Sequence, residues 1–192
     1  MIKVAITGNI ASGKSQVERF ISELGYLVVD ADELAHQVLF EYKKNIISLF
    51  MDDDIIDENG NISRIKLGNI VFLNDEKKKK LEEFSHSKIK EQINKIFLLN
   101  SDKDFIFISV PLLFEANMQN LFDKIIFVSA PFDVRLERLI KRNNFTKEQA
   151  LIRISAQQDE IDKIKKSDFV INNNSDLENL KQLTIKTIEQ LN

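Results

Sequence analysis

Gly8-Asn9-Ile10-Ala11-Ser12-Gly13-Lys14-Ser15 meets every fixed position of the phosphate-loop pattern G-x-x-x-x-G-K-[ST]. Ile2-Lys3-Val4-Ala5-Ile6-Thr7, just before it, is a short and mostly apolar run that reads as a buried strand. After Lys14, Val17, Phe20, Ile21 and Leu24 fall at i, i+3, i+4 and i+7, one face of a helix. Strand, glycine loop and helix in that order suit a triphosphate. Backbone N–H groups of the loop cradle phosphate oxygens, and the positive end of the helix points at them. Lys14 would reach the outer phosphates, and the Ser15 hydroxyl would sit on Mg²⁺.

The chain around this loop has 192 residues, enough for one α/β core with an insertion or lid. Hydrophobic residues at 43% and charged residues at 30% are ordinary for a soluble globular protein. A formal charge of −3 supplies no general drive toward nucleic acid or an anionic membrane. Having no cysteine, the chain can build neither a disulfide framework nor a thiolate metal site. No secretory signal precedes the first strand and no apolar run reaches membrane-span length, so the expected address is the cytoplasm. A monomer is the default assembly.

Moving outward, Gly25 is the expected helix stop, and Tyr26-Leu27-Val28-Val29 a second strand ending at Asp30. Asp30-Ala31-Asp32 then opens a helical pattern, which puts two carboxylates at the strand edge where open α/β sheets bind ligands. An N-cap role accounts for one aspartate. Two of them beside a triphosphate would be repelled unless a metal or a substrate hydroxyl intervened.

From about residue 40 to 100 the pattern is mostly helical, too long for a loop, and is expected to form an inserted subdomain over the substrate. Within it, 51–61 reads as a solvated turn; a calcium loop with Gly60 at its sixth position would begin at Ile55, which cannot ligate. Lys77-Lys78-Lys79-Lys80, between Asp75-Glu76 and Glu82-Glu83, reads as a solvated face with i,i+4 pairs. Strands are expected at 104–110, 124–129 and 169–171. After the fourth strand, Arg135, Arg138 and Arg142 recur at i, i+3 and i+7, which predicts three guanidinium groups on one side of a helix, suited to phosphoryl oxygens. Thr146 with Gln149 is a capping box opening a helix that carries Arg153 and Gln157, and Ser175 with Glu178 is the expected cap of the last helix. The two arginine-rich helices read as a lid.

Five strands, a phosphate loop after the first, acidic residues after the second and an arginine-rich lid after the fourth resemble the phosphate-loop kinases of small molecules. The order and spacing of Thr7 to Ser15, Val29-Asp30-Ala31-Asp32, Leu67-Gly68 with Ile70-Val71-Phe72, and His86 are similar to those of the dephospho-CoA kinase family. So are those of Val110-Pro111-Leu112-Leu113-Phe114-Glu115, Leu136 to Leu139 with Lys141-Arg142, Arg153 to Gln157, and Asp168 to Asn173. The resemblance implies a phosphate-loop NTPase-type three-layer α/β sandwich with a five-stranded parallel sheet. Its core would be 1–32, 101–137 and 165–192, its helical substrate subdomain 33–100 and its helical lid 138–164.

The activity implied is ATP-dependent phosphorylation of the ribose 3′-hydroxyl of dephospho-CoA, with Mg²⁺. Asp32 would be the general base or hydroxyl-orienting group, and Asp30 would serve Mg²⁺ through water beside Ser15. The loop from Gly8 through Asn9, Ile10, Ala11, Ser12, Gly13, Lys14 and Ser15 to Gln16 would bind ATP, with Arg138, Arg142 and Arg153 closing from the lid. Arg64 and His86 would face the acceptor. The family usually carries glycine where Asn9 and Ala11 stand, and proline where Ser87 stands. The alternatives are a kinase of another small alcohol or a nucleotide, and a nucleotide-dependent switch. Against a nucleotide monophosphate acceptor, Arg64 is the only arginine between residues 33 and 100; against a guanine switch, no Asn-Lys-x-Asp segment is present.

Overall fold

A computed structural model describes residues 1–157 and 159–191. In chain order the elements are β1 (Ile2–Gly8), α1 (Lys14–Glu23), β2 (Leu27–Asp30), α2 (Ala31–Glu41), α3 (Lys43–Leu49), α4 (Arg64–Leu73) and α5 (Asp75–Leu99). Then come β3 (Phe105–Ser109), β4 (Lys124–Ser129), α6 (Phe132–Asn143), α7 (Lys147–Ser155), α8 (Glu160–Lys165), β5 (Phe169–Asn172) and α9 (Leu177–Glu189). They divide into two compact units, Met1–Asp30 with Asn100–Asn192, and Ala31–Leu99.

The first unit is an α/β fold around a five-stranded sheet of order β2-β3-β1-β4-β5, every pair parallel. Alternation along the strands buries both faces. Val4, Ile6, Phe105, Phe107, Ile126 and Val128 join Val17, Phe20 and Ile21 of α1 and Leu180 and Ile188 of α9 in one core. Ala5, Ile106, Ile108 and Phe127, facing the other way, are fully buried as well. Continuous apolar strands are what a parallel sheet covered on both sides requires. Each such side chain taken out of water contributes about 1.5–3 kcal/mol.

The chain leaves β1 to lay β2 and β3 on one side of it, and later β4 and β5 on the other. That reversal opens a crevice at the carboxyl end of β1, the usual ligand position in open α/β sheets. α1 stops at Gly25, where φ is +89°. Tyr26 N–H donates to Ile21 O at 3.3 Å and Gly25 N–H to Ser22 O at 2.9 Å, which satisfies the last carbonyls and turns the chain into β2.

Two local expectations need correction. α9 is capped by Asp176, whose carboxylate accepts from Asn179 N–H at 2.8 Å, not by Ser175; an aspartate one residue later offers a charged acceptor to the same helix end. The helix opened by Thr146 stops at Ser155 with Ala156 as its C-cap, so Gln157 lies beyond it, and α8 begins afresh from Asp159. The Thr146–Gln149 capping box itself is present.

The second unit packs α2 to α5 around Ile46, Phe50, Ile55 and Leu67, with Leu39, Ile62, Leu81 and Phe84 against them. Its turn is held by the Asp57 carboxylate, which accepts from Asn59 N–H and Asn61 N–H at 2.9 Å each. The lysine run is not uniformly a solvated face. Lys78 and Lys79 do lie 4.0 and 3.9 Å from Glu82 and Glu83, but Lys77 turns to the half-buried Asp53 at 2.6 Å. Asp53 is distant in sequence, and i,i+4 spacing carries no sign of such a partner.

Candidate active site

The carboxyl end of β1 runs straight into the glycine loop. At Gly8 a Cβ would stand 2.5 Å from Val128 O and 2.7 Å from Ser12 Oγ, so the loop lies too close to β4 for any side chain. At Gly13 φ is +97°, and a Cβ would meet Asn173 Nδ2 at 2.1 Å. Between them Ala11 holds φ +61°, a left-handed conformation that places Cβ near the following carbonyl. Glycine is relaxed there, which is a physical reason for its use at this position.

Neighbouring elements fix the loop by its carbonyls. Asn173, at the end of β5, donates Nδ2 to Ser12 O at 2.7 Å. Arg138 of α6 reaches Ala11 O at 3.5 Å and Ser12 O at 3.4 Å, and Asn173 Oδ1 at 3.4 Å. With the carbonyls turned outward in this way, the N–H groups that open α1 at Gly13, Lys14 and Ser15 have no carbonyl one turn back and suit an anion. The Ile10 N–H is already engaged: it donates to Gln157 Oε1 at 2.7 Å.

Lys14 Nζ lies 2.6 Å from Glu18 Oε1 and 2.5 Å from Ser109 Oγ, and that hydroxyl donates to the same carboxylate at 2.6 Å. Ser109 ends β3 in register with Asp30 of β2. The loop lysine is thus held over the ends of β1, β2 and β3. The Ser15 side chain, one residue into α1, is exposed.

Asn9 is 5% exposed and belongs to a polar network that the sequence did not reveal. Its Nδ2 donates to Glu160 Oε2 at 3.2 Å, and its Oδ1 accepts from Lys163 Nζ at 3.2 Å. Lys163 also reaches Glu115 Oε1 at 2.6 Å. Glu160 takes Arg135 at 3.1 Å on Oε2 and the Ser129 hydroxyl on Oε1. Burying polar groups is costly unless they are partnered, and here α8 supplies Glu160 and Lys163 to the loop while Arg135 of α6, Ser129 of β4 and Glu115 complete the network. Beside this network a cavity of about 290 Å³ opens between Ser129, Phe132, Arg135, Glu160 and Asn173.

The three arginines of α6 do not act as one stripe. Arg135 is buried on Glu160 and Ala130 O, Arg138 turns to the loop, and Arg142 is exposed with its Nε on Asn143 Oδ1 at 2.9 Å. Spacing of i, i+3 and i+7 fixes the side of the helix but not what each turn meets. Arg153 on α7 is exposed and stacks over the Phe145 ring at 4.1 Å. Asp30 ends β2 and is half-buried, whereas Asp32 is exposed in the first turn of α2. Arg64 is the exposed first residue of α4, behind the Ser63 cap. His86 is half-buried on α5, and its burial, with Lys90 nearby, holds the imidazole pKa below its ordinary value against the opposing pull of Glu82.

The dephospho-CoA kinase family profile matches residues 2–179. The chain belongs to the dephospho-CoA kinase family. A dephospho-CoA kinase of Listeria innocua is 37% identical, over 97% of this chain and 96% of its own length. The solved dephospho-CoA kinase of Campylobacter jejuni superposes with a TM-score of 0.79 at 32% identity, covering 98% of this chain and 96% of that one. A solved Thermus thermophilus protein gives a TM-score of 0.87 at 30% identity, with 100% and 98% covered. The expected α/β fold with a parallel five-stranded sheet and the expected family therefore both hold.

Proposed function

We propose that this protein transfers the γ-phosphoryl group of ATP to the ribose 3′-hydroxyl of dephospho-CoA, completing coenzyme A. The observation that carries the reading is the seating of Lys14 beside a phosphate loop whose carbonyls are tied back by Asn173 and Arg138. Family membership supplies the acceptor.

In this reading the N–H groups that open α1, together with Lys14, hold the β- and γ-phosphates. Lys14 gives up Glu18 for the phosphate, and Ser109 remains to steer its Nζ. Arg138, already at the loop, stands ready for the charge that spreads over the equatorial oxygens, and Arg142 and Arg153 close from the lid. Asp32 accepts a hydrogen bond from the acceptor hydroxyl and takes its proton as the bond to phosphorus forms. A loose transition state asks only for orientation and late proton removal, so a carboxylate of ordinary basicity serves.

Hard oxygen donors suit Mg²⁺, which takes one or two protein oxygens and keeps water and substrate phosphates for the rest. The exposed Ser15 hydroxyl would bind it directly, and Asp30, at the strand edge, through water. Bound there, the ion would neutralise charge on the phosphate oxygens. The same reading places a monomeric enzyme in the cytoplasm with its ATP.

The test is turnover of ATP with dephospho-CoA against a panel of adenosine, pantetheine-containing and nucleotide acceptors, for wild type and Asp32→Asn. Dephospho-CoA is expected to be the preferred acceptor. The substitution should lower kcat by about 10²-fold or more. Equal ATP consumption by both proteins with no CoA formed would overturn the assignment.

A further inference from the structure

Three consecutive residues at the tip of the phosphate loop are gripped by the segment that runs from α6 to α8. Asn9 meets Glu160 and Lys163 of α8 through its side chain. Ile10 and Ala11 pack against the cluster of Leu139 on α6 with Ala150 and Ile154 on α7, and Arg138 reaches Ala11 O and Ser12 O. The remaining grip is a single carboxamide. Gln157, half-buried just past the end of α7, accepts from Ile10 N–H on its Oε1 at 2.7 Å. Its own N–H donates to Ile154 O at 3.3 Å, so this side chain is carried on the same turn of chain that packs on the loop.

That bond falls where the loop has a second conformation open to it. Ser12 N–H donates to Asn9 O at 3.0 Å, which closes a β-turn with Ile10 and Ala11 at its centre. Ala11 holds φ +61° while Ile10 stays out of the positive region, the pattern of a type II turn, whose third residue is ordinarily glycine. A type I turn differs by a flip of the central peptide and suits alanine better, but it turns Ala11 N–H to the other side of the loop. A strained form persists only where its surroundings over-determine it. Here the peptide joining Asn9 to Ile10 is fixed at both ends, its oxygen by Ser12 and its N–H by Gln157. Ala11 N–H has no acceptor among the described residues, and it precedes the N–H groups at Gly13, Lys14 and Ser15 that suit an anion.

We infer that Gln157 is a positioning residue for ATP: by holding Ile10 N–H it keeps the loop in the turn that presents Ala11 N–H to the phosphates, and it makes that presentation depend on the seating of α7. The inference rests on the proposed activity for its nucleotide and gives Gln157 no contact with the reacting atoms. Its effect is on how the loop receives a phosphate chain, so ATP and ADP feel it and the acceptor does not. A carboxamide suits the task, because its oxygen accepts a hydrogen bond without bringing negative charge toward the phosphates. Without it, Ile10 N–H is left unpaired in a half-buried place and the strained turn loses one of its supports.

The experiment uses the full chain with Gln157→Leu, Gln157→Ala and Gln157→Glu. Steady-state kinetics give KM for ATP and for dephospho-CoA, calorimetry gives Kd for ADP, and NMR follows hydrogen exchange at the Ile10 amide. Loss of one hydrogen bond between neutral groups predicts a roughly two- to tenfold rise in KM for ATP and in Kd for ADP for the first two variants. In both, KM for dephospho-CoA should stay as in wild type and Ile10 N–H should exchange faster. Gln157→Glu retains an acceptor, so it should restore the protection of Ile10 while its charge keeps nucleotide binding weak. Urea midpoints check that each variant folds. A lowered midpoint with both nucleotide constants as in wild type makes the residue a structural tie only and overturns the inference, as does unchanged exchange at Ile10. Either result, from an enzyme that turns over dephospho-CoA, leaves the activity standing. Wild type that makes no CoA overturns the activity, and the ADP affinities of wild type and variants then decide the role of Gln157 by themselves.

Discussion

The ammonium of Lys163 donates to the side-chain oxygen of Asn9 at 3.2 Å, joining the phosphate loop to a helix 154 residues further along the chain. The lysine is 2% exposed and has Glu115 as its counter-charge. Removing one member of a buried pair leaves the other charge uncompensated. Lys163→Met is therefore expected to lower stability by about 2–4 kcal/mol, toward the low side because Glu115 keeps some access to water. Urea unfolding reads the change. Adding Glu115→Gln to that variant should return part of it, and a double variant as unstable as the single one would rule out the charge argument.

Asn9→Gly probes the same connection from the loop. The substitution leaves the Lys163–Glu115 pair in place and removes the bonds to Glu160 and Lys163. A freer loop loses its preorganisation. KM for ATP is expected to rise severalfold, with a much smaller change in the urea midpoint than Lys163→Met gives.

Lys14 shares Glu18 with Ser109. Lys14→Ala should lower kcat by about 10²–10³-fold, the scale for removing a donor aimed at developing charge. Glu18→Gln, by contrast, frees the lysine from a rival anion. An ion pair of this kind is worth about 1 kcal/mol at most, so KM for ATP should fall by up to about fivefold. A rise would mean that Glu18 positions the lysine more than it competes for it.

His86 carries a pH dependence. Burial depresses its folded-state pKa below the ordinary value of 6.5. A histidine held neutral in this way contributes stability that is present above the unfolded value and is lost as pH falls through the folded one. Between pH 7.5 and 5, wild type should therefore lose more stability than His86→Gln, as measured by urea midpoints at each pH. Parallel curves would show that the ring is as well solvated in the fold as in the unfolded chain.

Ala11 tests loop strain. At φ +61°, a β-branched side chain is a conformational outlier, so Ala11→Val should cost about 2 kcal/mol and weaken ATP binding. Ala11→Gly removes the Cβ strain but adds unfolded-state entropy, and the two nearly offset to within about 1 kcal/mol. Equal stability of all three proteins would show that the loop conformation is not fixed.

The sheet was legible because each strand is a short apolar run between glycines, prolines and acidic residues, and the phosphate loop because its fixed positions answer to local backbone geometry. Partners distant in sequence were not. Lys163 sits in Glu160-Ile161-Asp162-Lys163-Ile164-Lys165, and nothing local says that its ammonium is buried on Glu115. The helical period put Arg135, Arg138 and Arg142 on one side, yet the first is consumed by Glu160 and only the second reaches the loop. Asn9 looked like a departure from a glycine position; its amide supplies two hydrogen bonds that glycine cannot make.

Asn173 braces Ser12 across 161 residues. A ribosome makes the nucleotide cradle long before the buttress for it. A growing polypeptide halted before β5 emerges should carry the whole glycine motif and still hold ATP poorly, so the power to grip fuel lags well behind the synthesis of the motif itself.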